Sequence, residues 1–238
     1  MKYRFGLPKK IVFGAAATFL LSFASAQTVS EGIINLDSHK YAKAKEIFNQ
    51  MIAKSPTAEN YYYLGYSYLS QFEPNFELAK ENFDKGLAID SKSYLNKIGL
   101  ATIKLGKGQK ASAIAELTQV AKESKEKDAE VLYRIGEALT MFENNNDPAL
   151  AITFINKAIE KAQKYGVPAY YYYTLGDAYR LTRDPGNAMT AYDRASEVAK
   201  NKASVFYRMA TLWMAAKQYK KAEENIVKAI NTDSTYAP

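Results

Sequence analysis

Apolar positions along residues 58 to 236 recur with a spacing close to 3.6, and small residues recur in a fixed phase with them. The windows YYYLGYSY (61–68), LNKIGLAT (95–102), LYRIGEAL (132–139), YYTLGDAY (172–179) and FYRMATLW (206–213) share one order. Each reads large, two residues, aliphatic, small, two residues, then usually large. Residues at i, i+3 and i+7 share one face of an α-helix, so each window predicts an amphipathic helix. A second helical pattern follows each window: an alanine, a large residue four later, and usually a small residue three after that. The pairs are Ala44/Phe48, Ala79/Phe83, Ala113/Leu117, Ala151/Ile155, Ala188/Tyr192 and Ala222/Ile226. The first unit is the weakest, with Gly32 but no leading aromatic.

The small position needs a physical reason, because glycine inside a helix costs about 1 kcal/mol relative to alanine. Close approach supplies it: Gly65, Gly99, Gly136 and Gly176, with Ala210 in their place later, let the second helix lie against the first. Asp147-Pro148 and Asp184-Pro185 place a capping acid and a first-turn proline at helix starts. Extra residues are expected to lengthen the inter-helix turn in units two to four. A single helix pair cannot bury its own apolar face, so stability is expected from stacking of neighbours.

Six such units in tandem resemble the tetratricopeptide repeat, W-x2-L-G-x2-Y followed by A-x3-F and P. The resemblance covers residues 28 to 234; the closing proline is kept at Ser55-Pro56 and replaced elsewhere, as at Ser91 and Ser234. It implies an all-α fold, a right-handed α-solenoid of about six units within residues 27–238. The units are placed at about 28–57, 58–92, 93–128, 129–166, 168–202 and 203–236. In families that look like this, the residue after the leading aromatic lines a concave groove, with those three before it and four, seven and eight after it. That carry-over gives a candidate groove of Tyr62, Tyr66, Tyr133, Glu137, Tyr170, Tyr173, Asp177, Arg180, Tyr207 and Met214. Tyr61 and Tyr172 are then expected to pack inward while Tyr173 faces the groove. The lysine and asparagine clamp of the chaperone-binding members is absent, its positions being taken by Val29 or Tyr62 and by Ile33 or Tyr66.

The amino terminus changes the charge picture. Lys2, Arg4, Lys9 and Lys10 precede an apolar stretch from Ile11 to Phe23, and Ala24-Ser25-Ala26 forms an A-x-A site before Gln27. This is the three-part pattern of a secretory signal peptide over residues 1–26. The stretch is shorter than the ~20 residues a span needs, so no membrane span is expected after cleavage. The formal charge of +7 would fall to near +3 once those four basic residues are gone. Both signs alternate along the helices, which argues against a nucleic-acid footprint.

Little else reads as chemistry. There is no cysteine and one histidine, His39 in the first turn, so common zinc sites and thiol chemistry are excluded. Gly106-Lys107-Gly108-Gln109-Lys110 is too short for a phosphate loop and is read as the turn of unit three. Glu143-Asn144-Asn145-Asn146-Asp147 lacks calcium-loop spacing. No cofactor, metal or enzymatic activity is expected. The reading is an exported scaffold of the bacterial periplasm or cell envelope, binding a protein or peptide partner. Its rivals are the repeat arm of a longer envelope enzyme or sensor continuing past Pro238, and a carbohydrate-binding module using stacked tyrosines. The last helix carries Ala222, Ile226, Ala229 and Ile230 with no seventh helix after it. Its bare face is expected to be covered by further chain, a partner, or a second copy through self-association.

Overall fold

The computed structural model describes residues 29–236. The segments read as an export signal lie outside those residues. Twelve α-helices and no strand occur among the described residues. They are α1 (29–37), α2 (Tyr41–Lys54), α3 (Ala58–Leu69), α4 (Phe76–Ile89), α5 (Tyr94–Gly106), α6 (Lys110–Glu123), α7 (Ala129–Met141), α8 (Pro148–Ala162), α9 (Ala169–Leu181), α10 (Pro185–Val198), α11 (Ala203–Ala215) and α12 (Tyr219–Thr232). Each odd-numbered helix pairs with the even-numbered helix after it, and the pairs stack into an α-solenoid.

The small positions do what their phase required. A Cβ on Gly65 would stand 2.5 Å from Cε1 of Phe83, and one on Gly99 would meet the same atom at 2.5 Å. One phenyl ring thus fills both the seam within the second pair and the seam to the third. The tight seams exclude water and bury Phe83, Leu117, Ile155 and Tyr192 completely.

Helix starts follow the expected chemistry. Asp147 accepts from Leu150 N and Asp184 from Asn187 N, each at 3.1 Å, with Pro148 and Pro185 in the first turn. The inter-helix links of pairs two and four are lengthened as expected, at residues 70–75 and 142–147. Pair three departs from expectation. Its link is only 107–109, because α5 runs on to Gly106 and Gly108 adopts φ 79°, which glycine reaches without strain.

The array curves until its two ends meet. Successive odd-numbered helices from α3 to α11 touch one another, so they form the inner wall. Residues 233–236, after the last helix, fold onto the first turn. Lys40 Nζ lies 3.4 Å from Asp233 Oδ2 and 2.7 Å from Thr235 Oγ1. The Tyr236 ring packs 5.9 Å from Tyr207 and 6.2 Å from His39. The outer face of α12 does remain bare at Val227 and Ile230, which are 48% and 54% exposed.

Candidate functional site

The inner wall carries two arginines set against carboxylates and tyrosines, Arg134 buried and Arg208 half-buried. Arg134, in the middle of α7, has a side chain only 1% exposed. Its Nε donates to Glu130 Oε1 at 2.7 Å and its Nη1 to Glu137 Oε2 at 2.8 Å, one helical turn to either side. The rings of Tyr62, Tyr63, Tyr66, Tyr133 and Tyr170 surround its guanidinium at 5.1 to 5.8 Å. Among the described residues Nη2 has no hydrogen-bond partner, and the aromatic surround stands beside it instead. The tyrosine hydroxyls serve the carboxylates: Tyr170 and Tyr171 donate to Glu130 at 3.2 and 3.0 Å, and Tyr133 to Glu137 at 2.6 Å.

Arg208 on α11 centres the second cluster. Its Nε donates to Asp177 Oδ2 at 2.9 Å, Tyr192 donates to Asp177 Oδ1 at 2.7 Å, and the guanidinium lies 4.2 Å from the Tyr173 ring. Tyr173 in turn donates to Asp37 of α1. The first helix pair is thereby tied to the fifth and sixth across the inside of the curve.

Burial sets the protonation of these groups. It opposes charge on Arg134, but Glu137 and Glu130 outweigh it and keep the guanidinium ionised well above its ordinary range. Burial also pushes the hydroxyls of Tyr62, Tyr66, Tyr133 and Tyr173 well up, so all four stay neutral. The Asp37 carboxyl is pushed up to about 6 by burial, against the pull of Arg208 and the Tyr173 hydrogen bond.

Three cavities follow the inside of the curve. The first, about 400 Å³, lies between α1, the start of α9 and the α10–α11 link. The second, about 360 Å³, is polar and is lined by Tyr66, Glu137, Glu143, Asp177, Arg180 and Arg208 among others. The third, about 250 Å³, shares Asp177, Arg180 and Arg208 with it and adds Tyr207 and Tyr236. Asp37 and Tyr173 border both the first and the second, so the α1–α9 contact interrupts one continuous channel.

The expected groove residues divide accordingly. Tyr66, Glu137, Tyr173, Asp177 and Arg180 come together around the second cavity; Tyr170 borders the first and Tyr207 the third. Met214 stands apart, 52% exposed at the end of α11. An open tyrosine ladder is not found: Tyr62, Tyr133 and Tyr173 are only 2%, 1% and 5% exposed. Tyr62 and Tyr133 pack against the Arg134 cluster, and Tyr173 is covered by α1 and Arg208. The relation to the leading aromatics is reversed as well, since Tyr61 and Tyr172 are half-buried where Tyr62 and Tyr173 are buried.

Arg134, Arg208, Glu130 and Asp37 were not among the sequence candidates. Two signals pointed to the arginines. Both follow a tyrosine at the same repeat position, Tyr133-Arg134 and Tyr207-Arg208, and Glu130 and Glu137 sit four before and three after Arg134.

A closed-up stack of helix hairpins with an inner channel defines the class as an α-solenoid of the repeat-array kind. Residues 169–202 match the family model described as tetratricopeptide repeat. A structure of the APC/C hetero-tetramer Cut9–Hcn1 is 18% identical with a TM-score of 0.57, over 88% of this chain and 40% of that chain. MamA 41-end from Desulfovibrio magneticus RS-1 is 16% identical with a TM-score of 0.51, over 76% and 97%. A further MamA crystal structure is 21% identical with a TM-score of 0.49, over 67% and 89%. Comparison with curated protein sequences gives no match. Residues 169–202 thus carry a tetratricopeptide repeat, set within an α-solenoid fold.

Proposed function

We propose that this protein is a non-catalytic scaffold that holds a peptide or protein partner along its inner face, and that it works in the cell envelope after export. The observation that carries the reading is the polar channel at Asp177, Arg180 and Arg208. There the inner wall is open to solvent while the tyrosines beneath it are packed away. Arg180 is exposed and the carboxylates beside it are anchored, so the channel offers fixed charges to an extended chain. Fixed, prepaired charges recognise a partner with little ordering cost of their own. The buried rings of Tyr62, Tyr133 and Tyr173 offer no stacking platform for sugars.

A photo-crosslinking residue in place of Arg180 should capture a partner in intact cells. The same residue in place of Lys80, exposed on the outer side of α4, should capture markedly less. Equal capture at both positions would defeat the inner-face assignment. Export is supported by the basic, apolar and Ala-Ser-Ala order of residues 1–26. Mass spectrometry of the native protein should find Gln27 at its amino terminus; an intact Met1 in the cytoplasmic fraction would defeat it.

A further inference from the structure

The cavity between α1 and the α9–α11 wall differs from the rest of the channel in being largely apolar. Ile33 and Ile34 of α1 face Pro168, Ala169 and Val198 across it, and Tyr170 contributes a ring. Its volume of about 400 Å³ falls in the range of small-ligand sites. One carboxylate breaks this apolar lining. Asp37 borders the cavity, and among the described residues its single hydrogen bond comes from Tyr173 to Oδ2, so Oδ1 takes none. No cation lies within ion-pair distance of it there, because Arg208 is committed to Asp177.

Charge counting within the two arginine clusters points the same way. Leaving aside the exposed Arg180 and Glu143, Asp37, Glu130, Glu137 and Asp177 face Arg134 and Arg208, which is four carboxylates to two guanidiniums. Charges removed from water are stable only when paired. Glu130 and Glu137 share Arg134 and Asp177 holds Arg208, so among the described residues Asp37, at the apolar cavity, is the carboxylate of this group without an ion pair. Lys200, which also borders the cavity, is exposed and makes no ion pair among the described residues.

We propose that this cavity seats a basic side chain of the partner segment, with its aliphatic stem against Ile33, Ile34 and Val198 and its cationic head at Asp37. The inference rests on the scaffold reading and names what the partner must present. An apolar stem with a charged tip matches the shape and chemistry of the site, as long cationic side chains do wherever apolar walls end in a polar group. The groups facing Asp37 are Tyr173 from α9, Arg208 from α11, and Glu137 and Arg134 from α7. An entering cation would compete with a proton there, so affinity should fall as Asp37 becomes protonated below about pH 6.

The test uses the purified protein with n-hexylamine, hexanol and hexanoate as probes, followed by NMR titration at pH 7.5. Hexylammonium should bind at least tenfold more tightly than hexanol, and hexanoate should not bind. Asp37→Asn should bring hexylammonium down to the level of the alcohol while leaving alcohol binding intact, which also reports that the cavity is still folded. Val198→Trp should remove both. Lowering the pH from 7 to 5 should weaken the amine by several-fold, up to about tenfold, and leave the alcohol unchanged. Equal amine and alcohol binding, indifference to Asp37→Asn, preference for hexanoate, or no binding of any probe would overturn the proposal. A second arm compares a capped Ala-Lys-Ala peptide with its norleucine counterpart. Binding of hexylammonium without a tenfold preference for the lysine peptide would overturn the partner side chain as occupant. Because these probes need no natural partner, their outcome is independent of the crosslinking at position 180.

Discussion

Tyr172 and Tyr173 are adjacent in sequence and occupy different environments. Tyr173 is 5% exposed, with its ring beneath Arg208 and its hydroxyl on Asp37, whereas Tyr172 is half-buried and makes no hydrogen bond among the described residues. Truncating a large buried aromatic costs about 3–5 kcal/mol. Tyr173→Ala should therefore destabilise the protein by about that much in urea unfolding, and Tyr172→Ala by clearly less. Tyr173→Phe should cost about 1–3 kcal/mol, because Asp37 would lose its donor inside the fold. The opposite order of the two alanine variants would contradict the burial described here. The repeat spacing did separate the two residues onto different faces. It could not show which face would be covered, because the cover for Tyr173 comes from α1, more than 130 positions earlier in the chain.

Within single helices, the 3.6-residue period and the phase of the glycines were enough to place the helix pairs and their seams. The Arg134 cluster shows where such reading stops. Glu130, Arg134 and Glu137 are spaced like any pair on a helix surface, and so are Lys80/Asp84 and Glu81/Lys85. The side chains of Lys80 and Asp84 are 53% and 49% exposed, while that of Arg134 is 1% exposed. Identical spacing therefore covers a solvated pair worth a few tenths of a kcal/mol and a buried one whose rupture is severe. Only the packing of α3 and α9 against α7 distinguishes them. Arg134→Met should destabilise the protein by about 3–5 kcal/mol, since it leaves Glu130 and Glu137 without their cation. Arg134→Lys should not restore stability, because an ammonium lacks the fork that reaches both carboxylates. Thermal unfolding of both variants checks this.

At the scale of the whole molecule, the contact between first turn and last segment is a latch made of polar groups. Hydrogen bonds from Thr235, joined by those from Asn201 and Lys40, hold the Asp233 carboxyl down at about 2. A carboxyl whose folded value lies below its unfolded one contributes stability above about pH 4, and that contribution is lost as pH falls through about 2. Asp233→Asn should remove this part of the acid dependence. It should also speed hydrogen exchange at residues 38–41 and 233–236 together, with α5 to α7 unaffected. Exchange rising at one end alone would show that the ends are not coupled.

A linear stack of repeats can melt from its tips, because each terminal unit has only one neighbour and the loss travels inward unit by unit. Joining Lys40 to Asp233 gives both terminal units a second neighbour, so a front that unzips from either tip has first to break the join. Those two residues are separated by 193 positions and, with Asp37 and Tyr173 at 136, are exceptions in a fold built mainly from neighbouring helix pairs. Their encounter must come late in folding, after the local hairpins have formed, and it carries the loop-closure entropy of nearly the whole described chain. Once made, it binds six semi-independent hairpins into one cooperative unit.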